Sequence, residues 1–145
     1  DGIRDVAVTG VQTCALPIWV IINYLIVFLG GGLGAALRHG FNLIGVKVIN
    51  SSAPIGILLI NIIGCLLMGL IAGFFAFRGR LPQQFRLFLM TGFLGSFTTF
   101  SAFALEVALI IDREQYFSAS LYGLLTIMIS IGAAFIGLNI MKELF

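Results

Sequence analysis

The sequence predicts an all-α membrane protein with four membrane-crossing helices, the third broken near its middle. Three observations lead there. Of 145 residues, 60% are hydrophobic and only 10% charged, whereas a soluble domain of this size is nearer one-quarter charged. Four long apolar segments follow one another with short connections, and mean hydropathy is +1.14. Each segment is long enough to cross about 30 Å of hydrocarbon at about 1.5 Å per residue. Finally, the third segment contains GFLGSFTTFS, Gly92 to Ser101, whose glycines and hydroxyls make poor lipid-facing helix. A helix that breaks there leaves backbone groups that a membrane protein must bury or use.

Residues 1–20 stand apart. They hold no long apolar run and no basic start followed by a hydrophobic core, so they do not read as a signal peptide. They resemble translated adapter sequence. The expectation is a non-native leader or disordered tail at 1–20, in which Arg4 and Cys14 carry no meaning, and a four-helix domain at 21–145.

The first segment runs from Tyr24 to Gly45 and carries GGGLGAALRHG. Gly30 with Gly34, and Gly31 with Ala35, form small-xxx-small faces that permit close helix packing. Arg38 lies well inside this span. It either snorkels to the interface or sits in an aqueous vestibule, where its charge would attract anions.

The second segment, Pro54 to Phe77, has one strongly polar side chain, Asn61, near mid-depth. An unpaired amide in hydrocarbon costs several kcal/mol, so Asn61 meets either another helix or a water-filled path. Gly69 and Gly73 read as packing positions, and Cys65 as a packed thiol.

The third segment, Phe85 to Ile111, is the unusual one. Gly92 and Gly95 are expected to loosen the helix, while Ser96, Thr98, Thr99 and Ser101 bond back to freed main chain. Carbonyls converging there near a two-fold axis would suit a hard, dehydrated cation. With no acidic residue in the string, backbone oxygen would supply the ligands. Phe100 and Phe103 share a face if helix resumes at that point. Packing is the ordinary role of a phenylalanine in a span, and the chain has 14 of them. Beside a break, however, the positive edge of a phenyl ring can face a small anion. Glu106, one turn on, reads as an end-of-helix charge grouped with Asp112, Arg113 and Glu114.

The fourth segment, Ser118 to Met141, places Tyr122, Thr126 and Ser130 at i, i+4 and i+8, one stripe of a helix. Three hydroxyls in register form a polar track able to hand an ion along.

Net charge is +2, with no basic cluster fit for nucleic acid. Arg78, Arg80, Arg86 and Lys142 fall on one side of the membrane, and Arg38, Lys47 and Arg113 on the other. Such balance sets no firm orientation. It allows insertion both ways up and an antiparallel dimer, or one fixed orientation with the termini cytoplasmic. No nucleophile–base pair or metal-ligand cluster occurs, which argues against an enzyme.

Three stretches together resemble the fluoride channel family, the CrcB proteins of bacterial inner membranes. They are GGGLGAALRHG, the apolar helix around Asn61 with GCLLMG, and GFLGSFTTFSAF. The resemblance runs from about Tyr24 to the C-terminus, and the last string is its most specific part. It implies a dual-topology antiparallel homodimer with two fluoride pathways and one structural sodium ion. On that pattern the main-chain carbonyls of Gly95 and Thr98 are the sodium ligands. Asn61, Phe100, Phe103, Tyr122, Thr126 and Ser130 line the pores, and Arg38 has a vestibule or structural role. His39, Ser96 and Ala102 depart from the family pattern, and none removes a sodium carbonyl or a pore phenylalanine. The implied function is passive, fluoride-selective export across the bacterial inner membrane, with residues 21–145 as the channel domain. The competing classes are a small dual-topology coupled transporter and a structural membrane subunit. Proton coupling would need a carboxylate within the membrane, and the first three-quarters of every span lacks one.

Overall fold

The computed structural model describes the backbone of residues 2–49, 55–78 and 82–145, with side chains over 18–44, 55–77 and 82–145. Pro54 and Arg80 lie outside the described residues, as do the side chains of Arg4, Cys14, Lys47 and Arg78. Every described element is helical: α1 (Gly2–Ile49), α2 (Ile55–Arg78), α3 (Gln83–Arg86), a π-helix (Leu87–Leu94), α4 (Gly95–Phe97), α5 (Phe100–Asp112) and α6 (Tyr116–Leu144). Four stretches are long and apolar enough to cross a membrane: Ile18–Ile44, Ile55–Phe77, Gln83–Asp112 and Tyr116–Leu144. The chain is a multi-pass membrane protein.

The segment limits drawn from hydropathy are exceeded in the first, third and fourth spans. Among the described residues the first span reaches back to Ile18, the apolar run continuing through Ile22, Ile21, Val20, Trp19 and Ile18. The connection between the second and third segments is shorter than their limits leave it, since Gln83–Arg86 already forms α3 behind Pro82. Proline suits the residue ahead of a helix because its ring fixes φ and it has no N–H to leave unpaired.

Large apolar side chains cover the outside, among them Phe28, Phe117 and Phe135, as expected where the solvent is lipid. The buried set is small and central: Ile57 and Ile60 on α2, Leu94, Phe97 and Phe103 on the third span, Ala119 and Ala133 on α6. Phe97 is held by an edge contact from Phe41 and by stacking on Phe93.

Glycine sets how the helices pair. α1 packs on the π-helix, and α2 packs on α6. A Cβ at Gly30 would come within 2.6 Å of the Phe88 carbonyl oxygen, and one at Gly34 would collide with that of Phe93. Across the other pair, Gly69 abuts the Ala134 carbonyl and Gly73 abuts Met141. The expected packing roles of Gly30, Gly34, Gly69 and Gly73 hold. In a bilayer such backbone approach supplies the contact energy that water would otherwise drive.

Gly92 lies within the widened π-helix and Gly95 directly follows it. Neither is where helical geometry ends. Gly92 is buried in the π-helix, where a Cβ would lie 3.0 Å from the Gly30 Cα, and Gly95 keeps helical angles. The chain leaves helical geometry three residues later, at Thr98 (φ −75°, ψ 150°) and Thr99 (φ −148°, ψ 117°). Gly92 serves helix approach, and side-chain hydrogen bonds hold the extended pair.

Candidate functional site

The two extended threonines are the centre of the site. Thr98 closes the turn before it, its N–H and its Oγ1 both donating to the Leu94 carbonyl, at 3.0 and 2.9 Å. Its methyl occupies space that only a glycine at position 64 leaves open. Thr99 caps α5, accepting the Ala102 N–H on Oγ1 at 3.3 Å, with the Ser101 hydroxyl at 3.3 Å from the same atom. Threonine suits an N-cap because its side-chain oxygen reaches an orphan donor of the first turn.

Asn61 supplies what the extended backbone lacks. The Thr99 N–H donates to Asn61 Oδ1 at 2.9 Å, and Asn61 Nδ2 donates to the Thr99 carbonyl at 3.2 Å. One buried amide thus satisfies both main-chain groups of Thr99, a strand-like pairing made by a side chain. In a continuous helix the Thr99 N–H would serve the Gly95 carbonyl and the Ala102 N–H the Thr98 carbonyl, four residues back in each case. Both donors are engaged elsewhere.

A groove of about 390 Å³ opens beside this pairing. Asn61, Thr98, Phe100, Phe103, Thr126 and Ser130 contribute to its wall. Six of the residues named from sequence therefore meet at one place, drawn from α2, the third span and α6. Phe100 is 76% exposed and Phe103 7%, with ring centroids 5.6 Å apart. Phe103 in turn contacts Tyr122 at 5.8 Å, which ties the fourth-helix stripe to the phenylalanine pair.

The hydroxyls of that stripe are not equivalent. Thr126 Oγ1 donates to the Tyr122 carbonyl at 2.7 Å, so its proton is committed. Ser130 is buried beside the Cys65 thiol, and its Oγ meets no nitrogen or oxygen partner. Such an orphan costs free energy unless a water or ligand meets it.

Gly95 and Arg38 are not part of the groove wall. Gly95 is exposed, and Arg38 is half-buried on α1. Glu106, read from sequence as an end charge, is half-buried on α5 and close enough to Tyr122 to act on it electrostatically. Sequence reasoning did not identify Thr99 as the partner of Asn61. Its only local signal was the Thr99–Ser101 spacing ahead of an apolar run, which marks a cap without naming a partner on another helix. Cys65, Ile127 and Ile131 also line the groove, and no sequence pattern singled them out for it. Among the described residues no cluster of histidine, cysteine or carboxylate could hold a metal ion.

Residues 25–138 match the family model described as CrcB-like protein, Camphor Resistance (CrcB). Curated relatives agree. The chain is 46% identical over 123 residues to "Fluoride-specific ion channel FluC 2" of Nitrobacter hamburgensis, an alignment covering 85% of this chain and 99% of that one. It is 46% identical over 123 residues to "Fluoride-specific ion channel FluC" of Rhodopseudomonas palustris, with the same coverage. To the protein of that name in Granulibacter bethesdensis it is 42% identical over 124 residues, covering 86% and 98%. Matched by the family model over most of its length and aligned with these relatives nearly end to end, the chain belongs to the CrcB-like protein family.

Proposed function

We propose that this protein is a fluoride-selective channel that lets fluoride leave the cell passively across the bacterial inner membrane, with residues 21–145 as the channel domain. The carrying observation is the likeness, over nearly their whole length, to relatives named as fluoride-specific channels. The groove supplies suitable chemistry. Fluoride holds its water strongly, so a pore must replace that water with donors and positive ring edges. Asn61, Thr126, Ser130 and the Phe100–Phe103 pair line the groove, and Tyr122 touches the Phe103 ring from outside the lining. Hydrofluoric acid is weak and enters cells uncharged from acidic surroundings, then dissociates. An interior-negative potential of about 100 mV favours exit of each fluoride by about 2.3 kcal/mol, roughly a fifty-fold gradient without ATP.

The working unit is read as an antiparallel dual-topology homodimer whose third helix is broken near its middle. The extended Thr98 and Thr99 support the broken helix, and the exposure of Phe100 supports a second subunit completing the pore. A sodium ion would be held by the main-chain carbonyls of Gly95 and Thr98. These residues fit such an ion, because the helical donors of both carbonyls are engaged by Asn61 and by Thr99 Oγ1. Its contribution would be a fixed positive charge bridging subunits. Arg38, half-buried on the first span, is read as a vestibule or structural cation.

A coupled transporter is the second reading, favoured by one observation, the half-buried Glu106 near Tyr122. Fluoride efflux from liposomes holding the purified protein separates the two. Fast fluoride release without chloride, and without dependence on a proton gradient, is expected. No fluoride flux from folded protein would overturn the channel and move the weight to a coupled carrier of another ion or small solute, or to a structural subunit.

A further inference from the structure

We infer that Asn61 and Thr99 are positioning residues for a cation: together they strip the helical N–H donors from the Gly95 and Thr98 carbonyls and so keep two backbone oxygens available. This rests on the reading that these carbonyls hold sodium, and it assigns the cause to two side chains that need not touch the ion.

The bookkeeping is local and complete. A helix through this region would deliver the Thr99 N–H to the Gly95 oxygen and the Ala102 N–H to the Thr98 oxygen. Instead the Thr99 N–H goes to Asn61 Oδ1 at 2.9 Å, and the Ala102 N–H goes to Thr99 Oγ1 at 3.3 Å. The second Asn61 contact, Nδ2 to the Thr99 carbonyl at 3.2 Å, fixes the peptide so that it cannot swing back. Thr98 closes the preceding turn onto Leu94, which confines the interruption to two residues. In hydrocarbon a helix tends to heal, because each unpaired backbone group costs several kcal/mol. Something must hold it open, and the asparagine amide has the required donor and acceptor at the required spacing.

The ligand chemistry follows. Neutral carbonyl dipoles with no carboxylate among them suit a monovalent cation, since divalent ions take anionic oxygen. Valine in place of Thr99 keeps the shape and removes the hydroxyl acceptor, so the Ala102 N–H returns to the Thr98 carbonyl. Serine keeps the acceptor. Leucine in place of Asn61 removes both contacts to Thr99.

The test reads sodium, not flux. Thermal unfolding of the full-length protein in detergent is followed while sodium replaces choline at constant ionic strength. The expected result is a sodium-dependent rise in Tm for the unchanged protein. Its half-saturating sodium concentration should shift at least tenfold upward in Thr99→Val and in Asn61→Leu, and stay within about twofold in Thr99→Ser. Should Asn61→Leu fail to fold, the Thr99→Val and Thr99→Ser pair decides. A folded Thr99→Val protein with unchanged sodium dependence overturns the inference. So does an unchanged protein whose Tm ignores sodium, even if it conducts fluoride, and in that case the channel reading survives. Sodium stabilisation with the expected variant pattern but no fluoride flux supports the inference and overturns the channel.

Discussion

Gly34 on α1 rests against the Phe93 carbonyl so closely that no side-chain carbon fits between them. Two residues away, Gly32 has open space around its Cα. Alanine at position 34 must push α1 off the π-helix and is expected to cost about 1–3 kcal/mol as overpacking. Alanine at position 32 should be neutral, or stabilising by up to about 1 kcal/mol through helix propensity. Reversible unfolding in mixed micelles measures both. Equal tolerance at the two positions would refute the close approach.

The fourth-helix hydroxyls should separate in the same way. Ser130 Oγ is buried and meets no nitrogen or oxygen partner, whereas the Thr126 hydroxyl is spent on the Tyr122 carbonyl. Ser130→Ala removes an unsatisfied group and should stabilise by about 1 kcal/mol. Its fluoride flux should fall about tenfold, the effect of losing a donor worth about 1.4 kcal/mol in the barrier. Thr126→Val should change flux less than Ser130→Ala does. The reverse order in liposome efflux would mean that Thr126 gives up its helix bond to serve the ion.

Phe100 and Phe103 touch, yet only one of them is part of the chain's own core. Phe100 lies outside its own chain's core, so Phe100→Ile should destabilise less than Phe103→Ala does, and abolish selective fluoride flux. Phe103→Ala should cost about 3–5 kcal/mol through the cavity it leaves, besides any loss of flux. A Phe100→Ile protein that conducts normally would remove that ring from the pore.

The turn between the third and fourth spans offers a stability gain. Glu114 has φ 59°, its N–H donates to the Ile111 carbonyl at 2.8 Å, and the Gln115 N–H donates to that of Ile110 at 3.2 Å. This is a helix C-terminal motif that favours glycine at the left-handed position. The left-handed strain of a side chain is about 1–2 kcal/mol, partly offset because glycine gains freedom when unfolded. Glu114→Gly should therefore raise stability by about 0.5 kcal/mol, read as a small increase in Tm with unchanged flux. A lower Tm would show that the glutamate side chain earns its place through a contact of its own.

Sequence carried the fold far because lipid imposes few options. Apolar runs of sufficient length must become helices, and the small-xxx-small spacing of Gly30 and Gly34 specifies a backbone approach whatever lies opposite. The polar residues were equally legible as a set: an amide, two threonines and three fourth-helix hydroxyls are too expensive in hydrocarbon to be scattered without purpose. Their pairing was not legible. That Asn61 meets Thr99 depends on how α2 leans on the third span, which no periodicity encodes. The π-helix was likewise hidden. It lies where Gly92 meets Gly30, an approach set by two helices together. The extended pair lies inside the string Gly92 to Ser101, but which two residues of it leave the helix was not legible. Glycine permits a departure from helix, but the hydrogen bonds offered by Asn61 decide where one occurs.

The amide that serves Thr99 precedes it by 38 residues in the chain. At a synthesis rate of roughly 5–20 residues per second, α2 leaves the ribosome some 2–8 seconds before the threonines do. Asn61 is then already within the insertion machinery or the bilayer when the extended backbone arrives. Reversed order would send two exposed peptide groups into lipid ahead of their partner. The direction of translation thus lets each polar segment enter against a neighbour already prepared to receive it.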